Sequence, residues 1–183
     1  TQIEIIKIVC EKININFKED SLNFLDDRRH PVLNIPFSKY LLLHFDEKWI
    51  YNNYIKKYKN IEPTKNELID FIRNLVKKNN LIITTGREIS KLLNDIRFEI
   101  DYKEVKIFDK QNLLEIENIV FNSSLLISCH GWITHIAAAK NIKQIDIIDN
   151  SYPYDKWTSH LRNYNYLHRK SFKVLSKEII DLI

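Results

Sequence analysis

The sequence predicts a doubly wound α/β domain, a parallel sheet covered by helices on both faces, preceded by an N-terminal helix and a linker. Three observations carry this reading. Five short apolar runs, YLLLHF (40–45), LIITTG (81–86), VKIFD (105–109), LLISC (125–129) and QIDIID (144–149), have the length and near-continuous hydrophobicity of strands buried on both faces. Segments with helical spacing separate them, and a strand–helix alternation lays successive strands parallel. Two of the runs lead into the chain's two glycines, Gly86 and Gly131, where a strand turns into a helix.

Taken in order, Ile3 to Lys12 carries apolar residues at 3, 6, 9 and 10 and predicts a helix. The following stretch to residue 38 is polar, irregular and holds two prolines, as a linker does. Residues 1–38 thus read as helix and linker, and 39–183 as the α/β domain. After the first run, Pro63 and the Thr64/Glu67 spacing mark a capped helix start, with Leu68, Ile69, Ile72, Leu75 and Val76 as the apolar stripe. REISKLLNDI, NLLEIENIVFNSS and ITHIAAAKN supply the next helices. The tail predicts one helix over Lys156 to Tyr164 and another from Phe172 to Ile183.

Composition bounds the function. The 183 residues, 44% of them hydrophobic, suffice for one domain with a core, and no apolar run approaches the roughly 20 residues of a membrane helix. The start TQIEIIKIVCEK lacks the parts of a secretion signal, which points to the cytoplasm. The complete lack of methionine points to a processed chain or a piece of a longer one. Two cysteines make neither a disulfide framework nor a zinc cluster. The net charge of +4 is scattered, which suits an anionic ligand or an acidic membrane surface but not the concentrated basic face of a nucleic-acid binder.

Open α/β sheets bind ligands beyond the carboxyl ends of their strands. The loops there read HFDEKW (44–49), TTGREIS (84–90), FDKQN (108–112), SCHGWITH (128–135) and IDNSYPYDKW (148–157). Gly86 and Gly131 either make tight turns or let backbone N–H groups approach an anion at a helix N-terminus, and both standing at the ligand edge favours the second. His130 and His135 are five apart, whereas metal ligands on one helical face are three or four apart, so no metal and no cofactor is expected. Cys129, ending a buried strand, reads as an inert small hydrophobe rather than a nucleophile. His135 is either a phosphate donor or a histidine satisfied in the core. Lys48 and Arg87 are the cations placed to reach a phosphate, and Glu88 can accept from ribose hydroxyls, unless they are solvated surface charges. Trp49, Trp132 and Trp157 either cover a base or sugar ring or cap the core.

The block FNSSLLISCHGWITHIAAAKNIKQIDII resembles the signature segment in the C-terminal domain of GT-B glycosyltransferases, especially the heptosyltransferase-like family. His135 with its alanine-rich helix matches that family's histidine and helix, and its acidic turn residue falls on His130. LLLHFDEKW, with Lys48 and Trp49, resembles the first strand and loop, and LIITTGREIS, with Glu88, the second. The resemblance implies a Rossmann-like GT-B half that binds a nucleoside diphosphate sugar and transfers its sugar to a glycan or lipid-linked acceptor in cell-envelope polysaccharide synthesis. It implies that residues 1–38 are the end of a missing N-terminal acceptor domain, and it implies peripheral contact with the inner face of the membrane. The substrate-binding set it implies, together with the loop reading, is Lys48, Gly86, Arg87, Glu88, Asp109, His130, Gly131, Thr134 and His135. A sugar-nucleotide epimerase on the same fold and a non-catalytic nucleotide-binding or scaffold module are the alternatives.

Overall fold

The computed structural model describes residues 2–18, 33–50, 59–151, 153, 156 and 158–183. Helix α1 (Gln2–Lys12) precedes the sheet domain. There β1 (Leu41–Phe45), a 3-10 turn (Glu47–Trp49), α2 (Lys65–Val76), β2 (Leu81–Thr85), α3 (Lys91–Ile96), β3 (Val105–Phe108) and α4 (Leu113–Phe121) follow in turn. They are succeeded by β4 (Leu125–Cys129), α5 (Trp132–Ala139), β5 (Gln144–Ile148), β6 (Tyr164–His168) and α6 (Phe172–Asp181). The helix starts obey local chemistry. Thr64 and Asn112 each form a full capping box, with Glu67 and Glu115, which satisfies backbone N–H groups that a helix start leaves unpaired.

All six strands are parallel, in the order β3-β2-β1-β4-β5-β6. Because side chains alternate along a strand, each strand feeds both layers. Leu41, Leu43, Phe45, Ile83, Ile127 and Ile147 face a core made with α2, α3 and α6, through residues such as Phe71, Ile72, Leu93 and Phe172. Leu42, Ile82 and Leu126 face the other, made with Ile119, Ile133 and Ala137 of α4 and α5. Leu33, Ile35 and Phe37 from the preceding segment pack against this second core. Among the described residues no helix is long and apolar enough to cross a membrane.

One expectation fails. The helix over Lys156 to Tyr164 does not run its expected length: Lys156 is helical, but residues 158–160 are turn, 162–163 are bend, and Tyr164 opens the sixth strand. Asn163 has φ 48°, a left-handed conformation that halts a right-handed helix and that asparagine tolerates. Tyr164 and Tyr166 then alternate along an edge strand that suits aromatic residues.

Candidate functional site at the topological switch point

The strand order reverses direction between β1 and β4, which are paired neighbours. The loops leaving them diverge to opposite faces and open a crevice at the carboxyl edge. The crevice is bounded by the 3-10 turn after β1 and by the head of α5 after β4.

Gly131 is the N-cap of α5, with φ 177° and ψ −169° and no side-chain cap bond. That backbone is extended and open to any residue; what requires glycine is space. A Cβ at 131 would lie 2.7 Å from Lys48 Nζ and 3.4 Å from Lys48 Cε. The ammonium thus crosses directly over the head of the helix, where N–H groups and the dipole already concentrate positive potential. Its counter-charge is Asp46, 2% exposed, whose Oδ2 lies 2.5 Å from Nζ. Burial alone would raise the Asp46 carboxyl, but its hydrogen bond with His44 and the Lys48 ammonium beside it outweigh that and hold it below the usual range. Burial likewise pulls Lys48 toward neutrality, and Asp46 overcomes it and holds the ammonium above its ordinary value. The lysine is therefore charged throughout the neutral range.

Beneath the crevice the strands carry a polar row. Thr84, His44, Ser128 and Asp146 are register neighbours on β2, β1, β4 and β5, so their side chains share a face. Their exposures are 0, 1, 0 and 0%. His44 Nδ1 and Thr84 Oγ1 are 3.0 Å apart. Asp146 Oδ2 accepts from the Tyr164 hydroxyl at 2.7 Å and meets His130 Nδ1 at 2.5 Å. Polar groups are costly to bury in a sheet core, and here they gather where the sheet meets the crevice.

Of the expected site residues, five meet at this crevice: Lys48, His130, Gly131, Thr134 and His135. The Thr134 hydroxyl is engaged locally, donating to Gly131 O at 2.6 Å, so its contribution is to shape the helix start. His135 is exposed; its ring stands 5.9 Å from that of His130 and stacks on that of His160 at 5.5 Å. Burial first, then the charges of His130 and His160, hold the His135 imidazole below the ordinary range, making it neutral at neutral pH. Gly86 closes β2 beside the 3-10 turn; a Cβ there would collide with Glu47 Oε2 and approach Asp46 Cβ to 3.1 Å. Arg87 and Glu88 line a neighbouring cavity of about 670 Å³ with Glu47, Glu62 and Lys91, within the size range of small-molecule sites. Asp109 stands apart, beyond the end of edge strand β3, 3.9 Å from Arg97.

Cys129 is buried, and burial pushes its thiol far above the usual range, in keeping with an inert side chain. Trp49 is fully buried against Phe45 and Phe172 and caps the core, Trp132 is 46% exposed, and Trp157 lies outside the described residues. Among the described residues no group of three or more His, Cys, Asp or Glu side chains is arranged to hold a metal ion.

Sequence reasoning missed Asp46, Asp146, Tyr164 and Arg169. Arg169, 5% exposed, donates from Nη2 to Lys48 O at 2.7 Å and from Nε to Lys59 O at 3.1 Å, and its Nη1 lies 3.6 Å from Cys129 Sγ. It ties both sides of the crevice to the strand behind them. For Asp146 the available signal was a charged residue inside an otherwise apolar run; Asp46, Tyr164 and Arg169 lie outside the runs.

No protein-family model and no curated protein sequence matches the chain. Solved structures do match. A Listeria monocytogenes protein to which UDP-N-acetylglucosamine 2-epimerase activity is provisionally ascribed aligns with a TM-score of 0.57 and 13% identity over 90% of this chain and 42% of that one. The Methanocaldococcus jannaschii UDP-GlcNAc 2-epimerase in complex with UDP-GlcNAc and UDP aligns at 0.51 and 15% over 78% and 38%. The E. coli heptosyltransferase WaaC with ADP aligns at 0.50 and 11% over 78% and 43%. The chain spans about two fifths of the length of these structures. Together with its six-stranded parallel sheet, these similarities show that the chain has the Rossmann-like α/β fold of one half of a GT-B protein.

Proposed function

We propose that this chain is the donor-binding half of a GT-B glycosyltransferase and takes the diphosphate of a nucleotide sugar at the switch-point crevice. The observation that carries this reading is the crossing of the Lys48 ammonium over the head of α5, in space that only glycine at 131 leaves open. Two sources of positive potential in one crevice repel each other, and a bound dianion turns that repulsion into attraction. The fold neighbours crystallised with ADP, or with UDP and UDP-GlcNAc, support the same ligand class.

In sugar transfer the acceptor hydroxyl oxygen attacks the anomeric carbon, the carbon–oxygen bond to the diphosphate breaks, and charge accumulates on the leaving diphosphate. Lys48, the first N–H groups of α5 and a neutral His135 N–H offset that charge without a metal. Arg87 and Glu88, beside the 670 Å³ cavity, serve the outer phosphate and the ribose hydroxyls. The glycan or lipid-linked acceptor and the base that takes its proton belong to the other half of the enzyme.

The test has two parts. Thermal shift of this chain with a panel of nucleoside diphosphates gives stabilisation that weakens in Lys48→Ala and His135→Ala; no stabilisation at millimolar ligand contradicts the site. Incubating the whole protein with labelled sugar nucleotides and acceptors gives free nucleoside diphosphate and a glycosylated product. An epimerised sugar nucleotide instead assigns the protein to the other enzyme class represented among its fold neighbours, and binding without turnover marks a non-catalytic module.

A further inference from the structure

Asp146 is the one carboxylate of the polar row, and the diphosphate reading leaves its burial unexplained. It is fully buried. Its Oδ2 is shared by His130 and Tyr164, while its Oδ1 is buried with no hydrogen-bond partner among the described residues, as is the Oγ of its register neighbour Ser128. A carboxylate taken wholly out of water is strongly destabilising unless a cation touches it. The groups around His130 narrow the choice. From β6 comes the Tyr164 hydroxyl, a neutral donor. From α5 comes His135, whose ring lies 5.9 Å from that of His130, and from the turn before β6 comes His160, whose ring lies 5.5 Å from that of His135. Across Gly131 comes Lys48, already on Asp46. Among the described residues His130 is thus the ionisable base in hydrogen-bond contact with Asp146.

The donor roles then follow. A carboxylate accepts only, so both the Tyr164 hydroxyl and His130 Nδ1 carry hydrogens aimed at Oδ2. That fixes the ring and its tautomer, as a carboxylate behind a working histidine does. Nε2 is the ring nitrogen not engaged with Asp146. The side chain is 17% exposed where Asp146 is 0%, and it immediately precedes the Gly131 N-cap.

We infer that Asp146 and Tyr164 are positioning residues that hold His130 as an imidazolium donor to the diphosphate, a second cation beside Lys48 at the head of α5. This rests on the diphosphate reading above and extends it from the crevice surface to the buried end of β5.

A double-mutant cycle tests it, by calorimetry of this chain with UDP and with ADP. Asp146→Asn raises Kd roughly tenfold or more, as loss of a charge-assisted contact does, and has no further effect in the His130→Gln background. Tyr164→Phe has a smaller effect of the same pattern. Nitrogen-15 spectra of the nucleotide-bound wild type show both ring nitrogens of His130 protonated. An equal loss from Asp146→Asn in both backgrounds, or an unprotonated Nε2 in the bound state, overturns the inference. Should Asp146→Asn fail to fold, Tyr164→Phe and the wild-type spectrum decide. If the wild type binds neither diphosphate, the functional reading falls and this inference with it. If it binds and His130→Gln binds equally well, only this inference falls.

Discussion

Replacing Gly131 with alanine separates space from conformation. The backbone there is extended, with φ 177°, so an alanine meets no conformational penalty. Its methyl would lie 2.7 Å from Lys48 Nζ, where ordinary contact begins near 3.5 Å, so the ammonium must retreat by roughly 0.8 Å. Nζ is the far end of a flexible side chain, and the retreat is cheap. Exchange of a glycine N-cap for alanine costs about 0.5–1 kcal/mol. Partial loss of the contact between Lys48 and Asp46, 2.5 Å, adds about 1 kcal/mol. Together these lower Tm by only about 4–8 °C in a domain of this size. Nucleotide affinity falls much further, by about tenfold, because the cation leaves the helix head. Gly131→Ser is the control: its hydroxyl restores a cap and most of the stability, yet its Cβ displaces Lys48 as the alanine does. Calorimetry with UDP and denaturant unfolding read the two effects separately. Wild-type affinity in both variants would refute the claim that Lys48 and α5 share one anion.

Two further predictions concern stability. His135 and His160 are both held below their ordinary values, by burial first and then by neighbouring imidazole charge. The unfolded chain therefore binds protons before the folded one does as pH falls below about 6.5, and stability declines there until the folded values are passed; above that pH the effect is nil. Urea midpoints measured from about pH 7.5 to about pH 5 show this decline, and a His135→Ala/His160→Ala double variant flattens it; a flat wild-type profile contradicts it. Arg169→Lys keeps the charge but loses the fork that reaches Lys48 O, Lys59 O and Cys129 Sγ, and costs about 2–4 kcal/mol. An unchanged urea midpoint in that variant would contradict Arg169 as the tie between the two sides of the crevice.

The sheet was legible because parallel strands buried on both faces write themselves as apolar runs. LIITT and LLISC need no tertiary knowledge, and the Thr64/Glu67 box announces α2 by itself. β6 was not legible in the same way. YNYLH lies at the sheet edge, with Asn165, Tyr166 and His168 exposed, so it lacks the apolar signature of a central strand, and only its first residue, Tyr164, falls in an element the sequence predicts, the end of a helix. Of the site, Lys48, His130, Gly131, Thr134 and His135 were found because they flank strand ends, a local feature. Asp146, Tyr164 and Arg169 act through register and crossover, and only the pairing of β4 with β5 and of β5 with β6 brings them to His130 and Lys48. Asp109 shows the converse. It follows a strand as the others do, but that strand is at the far edge of the sheet, and position in the loop pattern does not place it at the switch point.

The central claim is that a nucleoside diphosphate binds where β1 and β4 part. Titrating the isotopically labelled chain with UDP and ADP while following backbone amide signals tests it most directly. The account predicts saturable shifts concentrated at 46–48, at 86–88 and over 130–135, with the largest at the first N–H groups of α5. Shifts absent at millimolar nucleotide, or confined to the groove between α2 and α6 lined by Glu67, Asp70, Lys173 and Lys177, would contradict it.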